Sequence, residues 1–193
     1  MGRLVLIRHG ESEGNRDRVF TLTPDIPITD AGREQVRSAA EWVAARYRPV
    51  RVVTSPFRRA RQTAAIIADR LALPVVVEED LRERSYGELA GKPYRAVRDC
   101  GDWDPAMYWL WCPPGGGETL VQVAERAGAA LDRVAAVAPG DDVVVVSHGA
   151  VMMALWWHVT GSWKTGAVAR NAGIVVVEHA GARYLGATAI EEE

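Results

Sequence analysis

The chain has 193 residues, of which 48% are hydrophobic and 25% are charged, and its formal net charge is -2 at pH 7. This length suits one α/β domain with a full core and is short for two ordinary domains, so we expect a single domain over residues 1–193. A charge so close to zero gives no general attraction to nucleic acid or to an anionic membrane. Any binding of anions must therefore be local.

The cysteine content and the apolar runs indicate the cellular setting. Cys100 and Cys112 are too few for a disulfide scaffold and lie too far apart for a CxxC pair, which favours a reducing compartment. No apolar run approaches the roughly 18 residues that a membrane-spanning helix needs. We therefore expect a cytoplasmic protein that has neither a membrane nor a nucleic acid as a partner.

Short apolar runs alternate with helical segments along the chain. Buried strands are predicted at five runs: Leu4–Ile7, Val52–Val53, Val75–Val77, Val143–Val146 and Ile174–Val177. Helices are predicted at four segments with apolar residues at helical spacing: Thr29–Tyr47, Phe57–Leu71, Thr119–Val137 and Gly149–Thr160. This alternation predicts a three-layer α/β/α sandwich with a mostly parallel central sheet. Ligands are then expected beyond the carboxyl ends of the strands.

One segment interrupts this alternation, and we interpret it as a lid-like insertion at about residues 88–117. It contains Trp103, Trp109 and Trp111, together with four prolines and a run of three glycines. Its aromatic side chains could line a substrate pocket. Aromatic residues in an irregular segment also commonly pack that segment onto the core or onto a partner subunit, so both interpretations stay open.

The first strand ends in Arg8-His9-Gly10, which places an arginine and a histidine at a turn. A neutral imidazole is a competent phosphoryl nucleophile near pH 7 because its ordinary pKa is about 6.5. A neighbouring guanidinium can hold two phosphate oxygens as a fork. By itself this tripeptide is a weak signal for a phosphate site.

A second strand ends in the same way, in Ser147-His148-Gly149. Two histidines at strand ends in one parallel sheet can face one crevice. His148 and the N-terminus of the following helix could then stabilise charge on a transferring phosphoryl group. We interpret the remaining histidines, His158 and His179, as structural.

The helix predicted from Phe57 begins with three arginines, Arg58, Arg59 and Arg61. Cations at a helix N-terminus oppose the helix dipole, so an anionic partner such as phosphate would explain them. Arg59 precedes the small residue Ala60, which can lie against the sheet, and is the one we expect at the site. Arg58 is a further candidate contact, although a solvated basic surface would also account for it.

Glu83 follows the third predicted strand and is flanked by two arginines. A carboxyl group shielded from water has a raised pKa and could protonate a leaving group, then act as a base toward water. Flanking cations would lower the pKa instead. The sequence leaves the balance between these two effects open.

Taken together, these four segments resemble the histidine phosphatase superfamily, which has the phosphoglycerate-mutase-like fold. The matching motifs are Arg-His-Gly-Glu-Ser, Ser-Pro-x-x-Arg-Ala-x-Gln-Thr-Ala, Leu-x-Glu-x-x-x-Gly and Ser-His-Gly, in the family's order. The resemblance implies that His9 is a nucleophile that becomes phosphohistidine and that Glu83 is the proton donor. It further implies a phosphate pocket that contains Arg8, Arg59, His148 and Asn15.

The resemblance also implies a small phosphorylated metabolite as substrate and no metal or other cofactor, and it leaves a homodimer open. Thr21 and Gly149 are further candidate contacts to the substrate. Thr21-Leu22 is a departure, since the family commonly has Gln-Gly there and a glycine would let backbone approach the ligand.

Within this family we expect a phosphatase of phosphomonoesters. The first alternative is a phosphoglycerate mutase that transfers phosphate through the same histidine. Mutases of the family carry a longer insertion than the roughly thirty residues between Gly87 and Glu118, which favours water as the acceptor. The second alternative is a non-catalytic phosphate-binding regulatory module.

Overall fold

In the computed structural model, which describes residues 1–164, 170–181 and 183–190, one sheet contains six strands. They are β1 (Gly2–Arg8), β2 (Pro49–Thr54), β3 (Val75–Val77), β4 (Asp142–Ser147), β5 (Ile174–Ala180) and β6 (Arg183–Ile190). Their order across the sheet is β3-β2-β4-β1-β5-β6. Five of these strands run in the same direction, and β5 is antiparallel to them. The prediction of a mostly parallel sheet in an α/β fold is confirmed.

Five helices accompany the sheet: α1 (Glu13–Arg16), α2 (Asp30–Arg46), α3 (Arg58–Leu71), α4 (Leu120–Ala136) and α5 (Gly149–Thr160). The four predicted helices correspond to α2, α3, α4 and α5, with ends that differ by at most one residue. All five predicted strands are present, but the prediction that Val75–Val77 is buried is wrong. β3 is an edge strand, and its three valines are 44–47% exposed. β6 was not predicted. Its residues are mostly small or polar and mostly exposed or half-buried, so they form neither an apolar run nor a clear alternation of apolar and polar positions.

Alternate side chains of the central strands point to opposite faces of the sheet, and each face is covered by a pair of helices. Leu4 and Leu6 of β1 pack with α4 and α5, whereas Val5 and Ile7 pack with α2 and α3. Burial on both faces explains why these strands are continuous apolar runs. The result is the expected three-layer arrangement.

The register of the parallel strands brings the predicted site residues to one edge. Arg8, the last residue of β1, lies opposite Ser147 of β4, and Thr54 of β2 lies opposite Val146 of β4 and Val77 of β3. The residues that follow these strand ends therefore emerge side by side. Sheet register, rather than sequence proximity, assembles the site.

The segment 88–117 is built from short 3₁₀ turns and loops, and it packs against the end of α5. Trp109 stacks on Trp163 with ring centroids 6.0 Å apart, and Trp157 stacks on the same indole at 5.1 Å. Tyr108 donates a hydrogen bond from its hydroxyl to the Trp163 carbonyl at 2.8 Å. These contacts hold the segment against the rest of the domain.

Within the described residues, no helix combines the length and the apolar character that crossing a membrane requires.

Candidate active site

His9 lies directly after β1 and is only 2% exposed. Its Nδ1 is 2.7 Å from the carbonyl oxygen of Gly10. A carbonyl can only accept a hydrogen bond, so Nδ1 carries the proton and Nε2 carries the lone pair. The hydrogen bond from Arg59 supports the same tautomer, because its Nε–H donates to His9 Nε2 at 3.1 Å.

The imidazole of His9 is neutral at pH 7. Burial lowers the pKa of His9 well below 6.5, and the cations of Arg59 and Arg8 lower it further. The nucleophilic form therefore needs no separate base to deprotonate it.

Two close backbone approaches fix the loop that carries His9. A Cβ at Gly10 would overlap the Gly32 carbonyl, and a Cβ at Gly32 would overlap the Glu11 carbonyl, so both positions require glycine. Gly10 also donates its N–H to the Thr63 hydroxyl at 3.1 Å, and that hydroxyl donates to the Arg59 carbonyl at 2.9 Å. The loop after β1 is thereby attached to both α2 and α3.

Arg59 is the arginine of α3 that reaches the site. It is 1% exposed, and burial lowers the pKa of its guanidinium group below the ordinary value for arginine. Arg58, one residue earlier, is exposed and directs a guanidinium N–H toward the Asp25 carbonyl at 3.4 Å. Together with Arg61, it lines a separate depression. Successive helical residues project about 100° apart, which is why neighbouring arginines reach different surfaces.

His148 is fully buried and packs against the ring of His9. The two rings meet edge to face with centroids 5.2 Å apart, and His148 Nε2 lies 2.6 Å from the Ser55 hydroxyl oxygen. Burial, followed by the cation of Arg59, lowers the pKa of His148 well below 6.5. The structure thus brings the two predicted histidines together, as neutral rings.

A cavity of about 360 Å³ opens beside these groups. Seven of the nine predicted site residues line it: Arg8, His9, Asn15, Thr21, Arg59, Glu83 and Gly149. His148 and Arg58 are outside this lining. A Cβ at Gly149 would lie 3.4 Å from the guanidinium carbon of Arg8, an ordinary van der Waals distance, so Gly149 and Arg8 are close neighbours at the cavity wall.

Glu83 is partly buried at the cavity wall, and its Oε1 accepts the backbone N–H of Arg84 at 2.9 Å. Its pKa is raised above 4.5 because burial, which disfavours the charged form, outweighs the nearby cation of Arg59. This settles the direction that the sequence left open. A carboxyl group with such a pKa can hold a proton and release it.

The two arginines that flank Glu83 in the sequence bind groups other than its carboxylate. Arg84 donates to the carbonyl oxygens of Glu118 and Trp111, both at 2.6 Å. Arg82 lies 3.4 Å from a carboxylate oxygen of Asp80 and 3.7 Å from one of Glu118. Burial therefore prevails at Glu83 although two arginines flank it.

Asn171 is a site residue that the sequence analysis missed. Its Nδ2 donates to the His9 carbonyl at 3.2 Å and to Asn15 Oδ1 at 2.9 Å. Asn15 Oδ1 also accepts from Ser12, so the Asn15 amide group turns its NH₂ toward the cavity, where it donates to the Tyr94 hydroxyl at 3.2 Å. No short motif marked Asn171, which lies 156 positions after Asn15.

The remaining wall of the cavity is aromatic and apolar. Phe20 contacts Tyr86 and Tyr94 with ring centroids 4.4 and 5.0 Å away, and Val97 completes this side. Burial raises the pKa of Tyr86, so its hydroxyl stays protonated. Within the described part of the chain, no group of three or more His, Cys, Asp or Glu side chains could hold a metal ion.

The arrangement of a neutral histidine, two arginines and a protonatable carboxyl group agrees with the match to a known family. A sequence model of the histidine phosphatase superfamily (branch 1) matches residues 4–187. The chain belongs to this superfamily.

Individual relatives narrow the comparison. A metal-independent phosphoserine phosphatase of Arabidopsis thaliana is 32% identical over 182 residues, which are 90% of this chain and 75% of the relative. A 2,3-bisphosphoglycerate-dependent phosphoglycerate mutase of Parvibaculum lavamentivorans is 32% identical over 157 residues, or 76% and 74% of the two chains. The solved structure of a mycobacterial glucosyl-3-phosphoglycerate phosphatase with VO3 superposes with a TM-score of 0.83 at 28% identity and covers 95% of this chain and 96% of its own.

Among these superfamily members, two are named phosphatases. Their activities, as named, agree with phosphomonoester hydrolase as the enzyme class of this chain.

Proposed function

We propose that this protein is a phosphatase that hydrolyses small phosphomonoesters through a phosphohistidine on His9, with Glu83 as general acid and then general base. The observation that carries the proposal is the state of His9. Its proton is held on Nδ1 by the Gly10 carbonyl, and its Nε2 lone pair lies beside Arg59 at the cavity.

In the first step, phosphate oxygens of the substrate bind Arg8 and Arg59. They compete for the Arg59 Nε–H that otherwise donates to His9 Nε2, and this competition frees the nucleophilic lone pair. His9 Nε2 then forms a bond to phosphorus while the ester P–O bond breaks in line with it. The leaving oxygen takes the proton of Glu83, so an alcohol departs instead of an alkoxide.

In the second step, water attacks the phosphohistidine and transfers a proton to the carboxylate of Glu83. The P–N bond breaks, inorganic phosphate is released, and both His9 and Glu83 return to their starting states. The two guanidinium groups neutralise the charge that develops on the phosphoryl oxygens, so metal chelation is expected to leave the activity intact.

A phosphoglycerate mutase is the second candidate, and the similarity to a named mutase is the observation that favours it. A mutase would use the same histidine but return the phosphoryl group to a second hydroxyl group instead of water. A non-catalytic phosphate-binding module would form no phosphohistidine.

The free cysteines Cys100 and Cys112 support a reducing compartment, and we propose the cytoplasm as the location of this protein.

Three assays separate these functions. Release of p-nitrophenol from its phosphate ester tests for hydrolysis, and trapping of an acid-labile, alkali-stable phosphoryl group on His9 tests for the intermediate. Conversion of phosphoglycerate in the presence of 2,3-bisphosphoglycerate tests for mutase activity. We expect turnover and trapping in the native protein, little or no conversion of phosphoglycerate, and neither turnover nor trapping in His9→Ala.

His158→Asn is the matched control, because this histidine contacts Asp132 at 2.9 Å and lies outside the cavity lining. It should keep both turnover and trapping. Full turnover in His9→Ala would refute the proposal, and phosphate transfer between hydroxyl groups faster than hydrolysis would select the mutase. Chelator treatment of the native protein is the test for metal, and a loss of activity would contradict a metal-independent mechanism.

A further inference from the structure

The cavity beside His9 has cations on one side only. Among the residues that line it, Arg8 and Arg59 are the cationic side chains, and both neighbour His9. A phosphomonoester carries a charge between about -1.5 and -2 at pH 7. These two guanidinium groups therefore balance the phosphate, and the described residues of the lining hold no further positive charge for a second anionic group.

The other side of the cavity provides apolar contact. Phe20, Tyr86, Tyr94 and Val97 form this aromatic wall, and a leaving group bound to phosphate at His9 would face it. The Tyr94 hydroxyl already accepts a hydrogen bond from Asn15. An uncharged ring or alkyl group can bury apolar area here, whereas a carboxylate would lose water without gaining an ion pair.

Cations near the cavity do not supply the missing charge. Arg82 and Arg84 line an adjoining depression that shares Thr21, Glu83 and Tyr86 with the cavity. There Arg82 contacts the carboxylates of Asp80 and Glu118, and Arg84 donates to two backbone carbonyls. Lys92 and Arg95 are close in sequence to the aromatic wall, but their side chains are exposed and outside the lining.

The size of the cavity suits a small-molecule substrate. About 360 Å³ is near the lower end of the range for small-molecule sites, which is roughly 300 to 1,000 Å³. Phosphate takes part of this space, and the remainder has room for a leaving group that contains an aromatic ring.

We propose that the preferred substrates are phosphomonoesters whose leaving group is uncharged and aromatic or apolar, and that carboxylate-bearing esters are poor substrates. This inference rests on the proposed phosphatase function. It separates this chain from the relatives described above, because phosphoserine and glucosyl-3-phosphoglycerate both carry a carboxylate. Its physical basis is the aromatic wall and the absence of a third cation among the described residues that line the cavity.

The test compares two substrates that differ in charge but hardly in shape. 4-Carbamoylphenyl phosphate has a neutral amide where 4-carboxyphenyl phosphate has a carboxylate. We expect kcat/KM for the amide to exceed that for the carboxylate by at least about tenfold, because the carboxylate stays unpaired at the wall. Equal values, or a preference for the carboxylate, would overturn the inference while leaving the phosphatase function in place.

A charge introduced at the wall tests the cause. Val97→Lys should shift the ratio of the two kcat/KM values toward the carboxylate by about tenfold, and Val97→Met, which adds length without charge, should leave the ratio as in the native protein. Because each ratio is measured within one preparation, a loss of folded protein cancels. An unchanged ratio in Val97→Lys would reject the electrostatic explanation. If the native protein hydrolyses neither substrate, the phosphatase function itself fails, and this inference fails with it.

Discussion

Replacing Glu83 with glutamine removes a proton donor while nearly preserving the size of the side chain. Glutamine can still accept the Arg84 N–H, so the local backbone contact is kept. The raised pKa of Glu83 reflects burial that outweighs the Arg59 cation. The substitution therefore removes the acid from a site whose environment favours the protonated form.

The expected loss depends on the leaving group. General acid catalysis contributes roughly 10² to 10⁴ in rate, which corresponds to about 3 to 5 kcal/mol of transition-state stabilisation. Benzyl phosphate has a poor leaving group and should lose this full factor in kcat/KM. p-Nitrophenyl phosphate expels a stable phenolate and should lose less than about tenfold.

The assay is steady-state kinetics of both substrates with the native protein and with Glu83→Gln. Glu79→Gln is the matched control, since Glu79 is exposed and outside the cavity lining. We expect the control to behave like the native protein. Equal losses of kcat/KM on both substrates in Glu83→Gln would remove Glu83 from the role of proton donor.

The dependence on pH tests the same assignment. His9 must be neutral to attack, and its lowered pKa puts the loss of nucleophile well below pH 6.5. Glu83 must be protonated, so kcat/KM for benzyl phosphate should fall as pH rises through the pKa of Glu83, which lies above 4.5. This alkaline decrease should be absent in Glu83→Gln and much weaker for p-nitrophenyl phosphate.

Three further predictions concern stability and positioning. A carboxyl whose folded pKa is raised costs the folded state free energy as pH increases, so Glu83→Gln should raise the free energy of unfolding by urea at pH 7 and lose this gain below pH 4.5. Asn171→Asp places a carboxylate against two acceptor oxygens, the His9 carbonyl and Asn15 Oδ1, and should lower kcat/KM about tenfold or more. If Asn171 acts by orienting Asn15, the same substitution should cost less in an Asn15→Ala background, and an equal loss there would contradict that role. Gly32→Ala should lower the free energy of unfolding by about 1 to 3 kcal/mol because its Cβ overlaps backbone, whereas Gly140→Ala, with open space around it, should stay near the native value in the same thermal melt.

The alternation of buried strands and helices was visible in the sequence because burial on both sheet faces demands continuous apolar runs. The strand ends that carry His9 and His148 followed from the same pattern. β6 was missed because its residues are mostly small or polar, whereas β3, the other edge strand, was found through its three valines although they are exposed. The aromatic side chains of 88–117 allowed two interpretations, and the structure shows one of each: Trp109 packs onto Trp163, while Tyr94 lines the cavity.

Local sequence thus determined which residue types stand at the strand ends, because backbone periodicity and turn chemistry act over a few neighbouring positions. Only the tertiary structure decided that Arg59 and not Arg58 enters the cavity, that Asn171 orients Asn15, and that burial prevails over charge at Glu83. Those outcomes depend on helix orientation and on solvent exclusion by segments far apart in the chain, and no short stretch of sequence encodes either quantity.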